Sequence, residues 1–241
     1  MTQYSYSRVS LYQQCPLRYK YHYIDAIPVD HEYTANEPRM LGKCLDTGIE
    51  HGFDKAEQYY RTCYPYIDQE SEFELTKLKY WIDKLYPVYK DGQFQIDLRT
   101  SGFQGYADWY KDGYLCDFKY ASPRNVDKYR NSAQLHLYYK TMTELGYDIK
   151  QMEYVIIPRI AIRQKKLEST TMFYNRLMET LESTEIIHVP IDFDEKYVQG
   201  YEKSIGDIVE STETDNFPAV INSYCRNCDY KFKCPKYLNI K

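Results

Sequence analysis

At 241 residues and a formal net charge of −4, the chain is long enough to bury one substantial core and too acidic to coat nucleic acid by charge alone. It carries 29 Tyr against 9 Phe, an aromatic surface with polar tips that suits half-buried strands and wet grooves. No run reaches the roughly 18 apolar residues of a membrane span, and the opening residues lack the basic and apolar regions of a signal peptide, so the expectation is a cytoplasmic protein with no membrane partner.

Residues 7–14 read as a short helix capped by Ser7 and stopped at Cys15-Pro16, followed by an aromatic, basic helical run over residues 17–24. Pro38 suits the first position of a helix that continues to about residue 60. Within it Gly42 and Gly48 each cost about 1 kcal/mol relative to Ala, which suggests close approach of another segment. Residues 72–89 form a helix with Phe73, Leu78, Trp81, Ile82 and Leu85 on one stripe. Strands follow at 94–99, 103–110 and 114–120, then a helix from Asp127 to near Gly146 and a β-branched strand at 153–162. A helix at 172–181, a strand at 185–189, a helix at 195–210 and a Cys-rich tail from Tyr224 complete the chain. Helices before and after a mixed sheet predict an α/β fold, taken as a single domain over residues 1–241.

The most informative stretch is residues 105–119. Asp112-Gly113 between two β-rich runs predicts a hairpin with a type I′ turn, whose central residues both need positive φ. A two-residue loop pairs Lys111 with Tyr114, Tyr110 with Leu115, Trp109 with Cys116, and Asp108 with Asp117. The last rung sets two carboxylates opposite each other, with Cβ atoms about 4.5–5.5 Å apart. A divalent cation between them is the simplest compensation for their repulsion. Lys119 shares the face of Asp117, which completes the outline of a metal-dependent hydrolytic site. Asp46 and Glu50, four apart on one helix face, are each candidates for a third oxygen ligand. Gln134 and Tyr138 have the same spacing and can hydrogen-bond a phosphate or orient a catalytic group, although an amphipathic helix with inward leucines explains them too.

The seven cysteines are too odd a set, in an intracellular chain, for a disulfide framework. Cys225, Cys228 and Cys234 bring three thiolates together, one short of a tetrahedral zinc site or a cubane iron–sulfur cluster. Cys15 is the preferred fourth: it precedes Pro16 as Cys234 precedes Pro235, and the termini of a domain often lie close together. Cys44, Cys63 and Cys116 compete for that place but read as structural, Cys116 as a small hydrophobe on the face opposite Asp117. Spacing alone leaves zinc and iron–sulfur both open.

In their order, Gly105-Tyr106-Ala107-Asp108, Asp117-Phe118-Lys119 and Gln134-x3-Tyr138 resemble the motifs of the PD-(D/E)XK nuclease superfamily in its RecB-like branch. The opening Tyr6-Ser7-Arg8-x2-Leu11-Tyr12-x2-Cys15-Pro16-x2-Tyr19-Lys20-Tyr21 and the Cys-x2-Cys-x5-Cys tail resemble its iron–sulfur members: the AddB nuclease domain, CRISPR-associated RecB-like exonucleases and phage recombination exonucleases. The resemblance implies a restriction-endonuclease-like core and a metal-dependent DNA nuclease. It would be an exonuclease of recombination or DNA processing acting on DNA with a free end, virus- or phage-encoded, with recombination or CRISPR-type protein partners.

It implies further that Asp108, Asp117 and the backbone carbonyl of Phe118 bind Mg2+ or Mn2+, and that Lys119 positions the attacking water and stabilises charge on the scissile phosphate. Gln134 and Tyr138 complete the RecB-type motif. Cys15, Cys225, Cys228 and Cys234 hold a [4Fe-4S] cluster, preferred over Zn2+, in a subregion made of residues 1–30 and 223–241. Where that branch carries a metal-binding His, this chain has Asp46, an oxygen donor suited to the same hard cation, with Glu50 as the alternate and His51 offset. On this reading Arg18, Tyr19 and Lys20 contact single-stranded DNA by stacking and charge, against the equal alternative of aromatic core packing. Two rivals remain: a non-catalytic DNA-binding or complex-forming protein on the same fold, and a zinc-stabilised phosphoesterase.

Overall fold

The computed structural model describes residues 3–29, 37–64, 66–100 and 102–238. The ends of the two segments predicted to bind the cluster, residues 1–2, 30 and 239–241, lie outside the described residues. Helix α1 (Tyr6–Gln14) is capped by Ser5, whose hydroxyl accepts from the Arg8 amide, rather than by Ser7. Helix α2 (Pro16–Tyr19) starts on a proline and runs into a π-helical turn, Lys20–Ile24. The helix predicted to run on to residue 60 is two: α3 (Pro38–His51) and α4 (Phe53–Cys63), divided at Gly52, where φ is +87° and an L side chain would be strained. Helix α5 (Gln69–Tyr89) is N-capped by Asp68, which accepts from the Ser71 amide at 2.8 Å.

Strands β1 (Gln93–Asp97), β2 (Tyr106–Lys111) and β3 (Tyr114–Ala121) follow. One helix was expected from Asp127 to Gly146; instead there are α6 (Val126–Arg130) and α7 (Gln134–Glu144), with the Ser132 hydroxyl accepting from the Gln134 amide at the start of the second. Strand β4 (Gln151–Pro158), α8 (Thr170–Glu182), β5 (Ile187–Pro190), α9 (Glu195–Thr214) and α10 (Pro235–Leu238) complete the order.

The sheet runs β1-β2-β3-β4-β5, with β3 and β4 parallel and the other neighbours antiparallel. A parallel pair needs a crossover, which α6 and α7 supply. Each sheet face carries a helical layer, as an α/β fold requires. One layer joins Val9 of α1, Leu135 and Met142 of α7 and Tyr201 and Ile208 of α9 to Leu115, Tyr154 and Ile156 of the sheet. The other joins Leu45 and Ile49 of α3, Trp81 and Ile82 of α5 and Leu177 of α8 to Cys116, Phe118 and Val155. Buried on both faces, β3 and β4 alternate strictly between the layers, so Asp117 and Lys119 project on the first.

The first and last described segments pack together. The Leu17 amide donates to Pro218 O, Asn222 Nδ2 donates to Gln14 O, and Arg18 pairs with Asp229 at 3.0 Å. Among the described residues no helix is long and apolar enough to cross a membrane.

Candidate active site

The turn between β2 and β3 has the predicted form: Asp112 and Gly113 have φ of +50° and +91°. The rungs Lys111–Tyr114, Tyr110–Leu115 and Trp109–Cys116 form as expected. The fourth does not. Asp108 and Asp117 are not ladder partners; instead Asp108 Oδ2 accepts the Phe118 amide proton at 3.0 Å. The cause lies on the other side of β2. Gln95 takes φ of +48°, and the rung it would share with Asp108 is missing from the β1–β2 register. At that level both strands pass through the sheet. Phe94 and Trp109 lie in one layer, while Ile96 and Ala107, two residues on, lie in the other. The distortion frees the Asp108 carboxylate to turn toward β3, where Gln95 also hydrogen-bonds it.

Asp117 is fully buried. Its one charged partner among the described residues is Lys119, and otherwise neither carboxylate oxygen has a hydrogen-bond partner there. Asp46 reaches the same place from α3, where Leu45 and Ile49 anchor the helix in the core. Burial pushes its carboxyl up to about 8, with Asp108 adding to the shift and Lys119 and Lys43 opposing it. Burial likewise pushes Asp117 up to about 7 against the pull of Lys119, with Asp108 adding to the rise. Burial raises Asp108 as well, again opposed by Lys119. Lys119 is itself desolvated, but Asp117 and Asp108 together more than offset that and hold its pKa well above the usual lysine range. Asp46, Asp108, Asp117 and Lys119 thus form one interacting set. Glu50, the alternate third ligand, instead lies 3.5 Å from the exposed His51.

Tyr138 of α7 borders the set. Burial, then the Asp117 and Asp108 charges, raise its pKa, and Gln134 Nε2 donates to its hydroxyl at 2.8 Å. The structure therefore brings Tyr138 to the acids, with Gln134 bonded behind it. It also adds residues that the sequence did not single out. Lys43 acts on Asp46 and Asp108, a contribution legible in its position three residues before Asp46. The Tyr154 ring lies 5.9 Å from Lys119 Nζ, and the Tyr129 ring lies tilted against Tyr154 with centroids 5.4 Å apart. Gln95 had no signal, because nothing in its neighbourhood announces a positive φ within a strand.

Arg18, Tyr19 and Lys20, the run expected to contact DNA, are each engaged within the chain. Tyr19 is fully buried, its hydroxyl accepting from Arg8 Nε at 3.0 Å. Arg18 binds Asp229, and Lys20 binds Asp215 at 2.5 Å, so both cations tie the N-terminal segment to the C-terminal one. Tyr19 packs in the core, while Arg18 and Lys20 keep their ion pairs at the surface.

Cys15, Cys225, Cys228 and Cys234 all line one pocket, beside Arg18, Tyr21 and Tyr230. Cys44 and Cys116 are buried elsewhere, and burial pushes the Cys44 thiol up to about 12, as suits a small packed hydrophobe. No group of three or more His, Cys, Asp or Glu side chains among the described residues stands in ready metal-holding geometry, either at this pocket or at the acids. At the acids the reason is local: Asp117 is drawn onto Lys119 and Asp108 onto the Phe118 amide. The donor chemistry still fits. Carboxylate oxygens, one pair of them fully buried with Lys119 as its charged partner, suit a hard divalent cation, and four thiols suit zinc or an iron–sulfur cluster.

In comparison with known families, the model of the PD-(D/E)XK nuclease superfamily matches residues 3–235. A search of curated proteins returned no match.

Proposed function

The chain belongs to the PD-(D/E)XK nuclease superfamily, and from that premise we propose that it is a metal-dependent deoxyribonuclease that degrades DNA from a free end during recombination or DNA processing. One observation carries the reading: the fully buried Asp117 carboxylate, paired with Lys119, stands with Asp108 and Asp46 in a single electrostatic set. Three acids raised by desolvation around one lysine are the electrostatic pattern that a shared cation would relieve.

Asp46, Asp108, Asp117 and the carbonyl of Phe118 would hold Mg2+ or Mn2+. Such an ion supplies a Lewis acid for a phosphate oxygen and lowers the pKa of a water. Lys119 exchanges its carboxylate partner for the substrate, orients the attacking water and stabilises charge on the scissile phosphate. Tyr138, whose hydroxyl oxygen is occupied by Gln134 Nε2, keeps its own proton to donate toward a phosphate oxygen. Asp46 stays the preferred third ligand over Glu50, which pairs with His51 instead. Cys15, Cys225, Cys228 and Cys234 would hold a [4Fe-4S] cluster; their convergence on one pocket supports this, with Zn2+ as the alternative.

The test is degradation of end-labelled linear and covalently closed circular DNA with Mn2+. Linear DNA is degraded and the circle is spared, and Lys119→Ala abolishes hydrolysis while the fold survives. Full activity in that variant would defeat the assignment, and cutting of the circle would defeat action from an end.

A further inference from the structure

A cleft of about 460 Å³ opens where β3 and β4 begin and β5 ends. None of Asp46, Asp108, Asp117 and Lys119 lines it. Its floor is Glu153, a carboxylate only 9 % exposed. The Tyr114 hydroxyl donates to Glu153 Oε1, and His188 Nδ1 lies 2.7 Å from the same oxygen. Oε2 takes no hydrogen bond from the described residues, yet it is not sealed from solvent. Among those residues no Lys or Arg pairs with Glu153; its one ion-pair partner, the half-exposed His188, is charged only when protonated. Lys150, the one lysine or arginine on the cleft wall, lies 3.6 Å from Asp148 instead, and Asp192 adds a second acid to the rim. Tyr139 and Phe193 supply an aromatic wall, their rings stacked with centroids 4.5 Å apart.

We propose that this cleft binds an organic cation, an alkylammonium or alkylguanidinium group, whose charge meets Glu153 and whose stem lies along Tyr139 and Phe193. A half-sealed carboxylate is costly when no cation accompanies it. Tyr114 and His188 orient Glu153 through Oε1 and leave Oε2 for a donor from outside. Aromatic faces attract a cation within about 6 Å of the ring centroid and also cover its alkyl stem. Size agrees, since the volume falls in the range of roughly 300–1000 Å³ that encloses small organic ligands. Charge sets aside an anion, a nucleic-acid strand included, because its phosphates would face Glu153 and Asp192. A divalent metal ion fits less well: one carboxylate oxygen and one imidazole leave its shell unfilled, and no third His, Cys, Asp or Glu among the described residues joins them. The same chemistry is offered by a free polyamine and by a Lys or Arg side chain of a protein partner. Neither depends on the nuclease reading.

Titration with N-acetyl-arginine amide at low salt, read by 1H–15N NMR, tests this. Saturable shifts are expected at the amides of Gln151, Met152, Glu153, Ile191, Asp192 and Phe193, and none with N-acetyl-citrulline amide, which has nearly the same shape and no charge. Glu153→Gln keeps an oxygen for Tyr114 and His188, removes the charge and raises Kd about tenfold. Phe193→Ala, at an exposed position, raises Kd several-fold without disturbing the core. A parallel titration with 1,5-diaminopentane separates the sources: tighter binding of the diamine assigns the cleft to a free polyamine, and tighter binding of the arginine derivative assigns it to a partner's side chain. Equal affinity for the arginine and citrulline derivatives, or wild-type affinity in Glu153→Gln, would overturn the proposal; if Glu153→Gln does not fold, wild-type affinity in Phe193→Ala overturns it. Lys119→Ala binds the cation as the wild type does. Absence of DNA hydrolysis by the wild type would therefore remove the nuclease reading and leave this site standing, whereas hydrolysis without cation binding would remove this site alone.

Discussion

Asp108 Oδ2 accepts the Phe118 amide proton at 3.0 Å, a side chain standing in for the ladder bond that β2 would otherwise give β3. One carboxylate therefore has two tasks, closing the sheet and facing the acid set. Substitutions separate them. Asp108→Asn keeps an oxygen for the Phe118 amide and removes the charge; it retains near wild-type stability and loses Mn2+-dependent hydrolysis. Asp108→Ala removes both and loses about 1–3 kcal/mol in addition, because a half-buried amide is left without an acceptor. Urea midpoints and activity, measured on the same preparations, distinguish the two variants. Equal stability of both would mean that the bond contributes nothing.

The raised carboxyls predict a particular dependence on pH. Asp46, at about 8, and Asp117, at about 7, titrate far above the ordinary Asp value of roughly 3.9 expected in the unfolded chain. Folding favours their protonated forms. Their contribution to stability is complete below about pH 4 and is lost as pH rises through 7 and 8. In EDTA the Tm falls over that window. Asp46→Asn flattens the fall and raises Tm at pH 8 by roughly 2–4 °C for each kcal/mol relieved. Cation binding needs the charged forms, so the Tm increase caused by Mn2+ is larger at pH 8.5 than at pH 6. Melting curves across pH 5–9 with and without Mn2+ check all three statements, and a Tm in EDTA that climbs from pH 5 to 8 contradicts the first.

These residues also mark where the sequence was readable. Asp112-Gly113 was, because few residue pairs accept positive φ twice in succession, and that demand alone located β2, β3, Asp117 and Lys119. The Asp108 rung was not, because it depends on a backbone turn at Gln95 that leaves no mark in residue type. Asp46 and Glu50 share a helix face, so spacing could not choose between them; the choice depends on how Leu45 and Ile49 seat α3 on the sheet. An aromatic, basic run such as Arg18-Tyr19-Lys20 reads alike whether it meets a nucleic acid or its own chain. The acids that meet its two cations, Asp215 and Asp229, lie about two hundred residues away.

The seating of α3 depends on Gly48, two residues beyond Asp46. A Cβ there would overlap the Ile82 side chain of α5 and touch the Ala56 Cβ at 3.2 Å, whereas Gly42 has open space. Close approach, expected at both glycines, occurs at this one. Gly48→Ala costs about 1–3 kcal/mol by overpacking, partly offset by about 1 kcal/mol of helix propensity, and displaces Asp46 enough to lower Mn2+-dependent hydrolysis. Ile82→Ala alone opens a cavity and costs about 2–5 kcal/mol. Combined with Gly48→Ala it costs less than the sum, with a coupling of about 0.5–3 kcal/mol. Strict additivity in urea midpoints would show that the two side-chain volumes do not compete.

The cysteine pocket makes the last prediction. If Cys15, Cys225, Cys228 and Cys234 hold an iron–sulfur cluster, the protein purified without oxygen is brown, with a broad visible absorbance, and each of Cys15→Ser, Cys228→Ser and Cys234→Ser reduces or removes that colour. Cys44→Ser and Cys116→Ser lie in the packed core, away from the pocket, and leave it unchanged. The site joins the first and last segments, where Arg18–Asp229 and Lys20–Asp215 already bridge them at the surface. Exposed pairs of that kind contribute about 0–1 kcal/mol, so most of the closure falls to the thiolates. Oxidation or chelation therefore lowers Tm by several degrees, and does so far less in Cys15→Ser, which has already lost the N-terminal ligand. Colourless protein carrying one equivalent of zinc would select the alternative metal with the same four residues. Colourless, metal-free protein whose Tm ignores chelator would remove the metal role altogether.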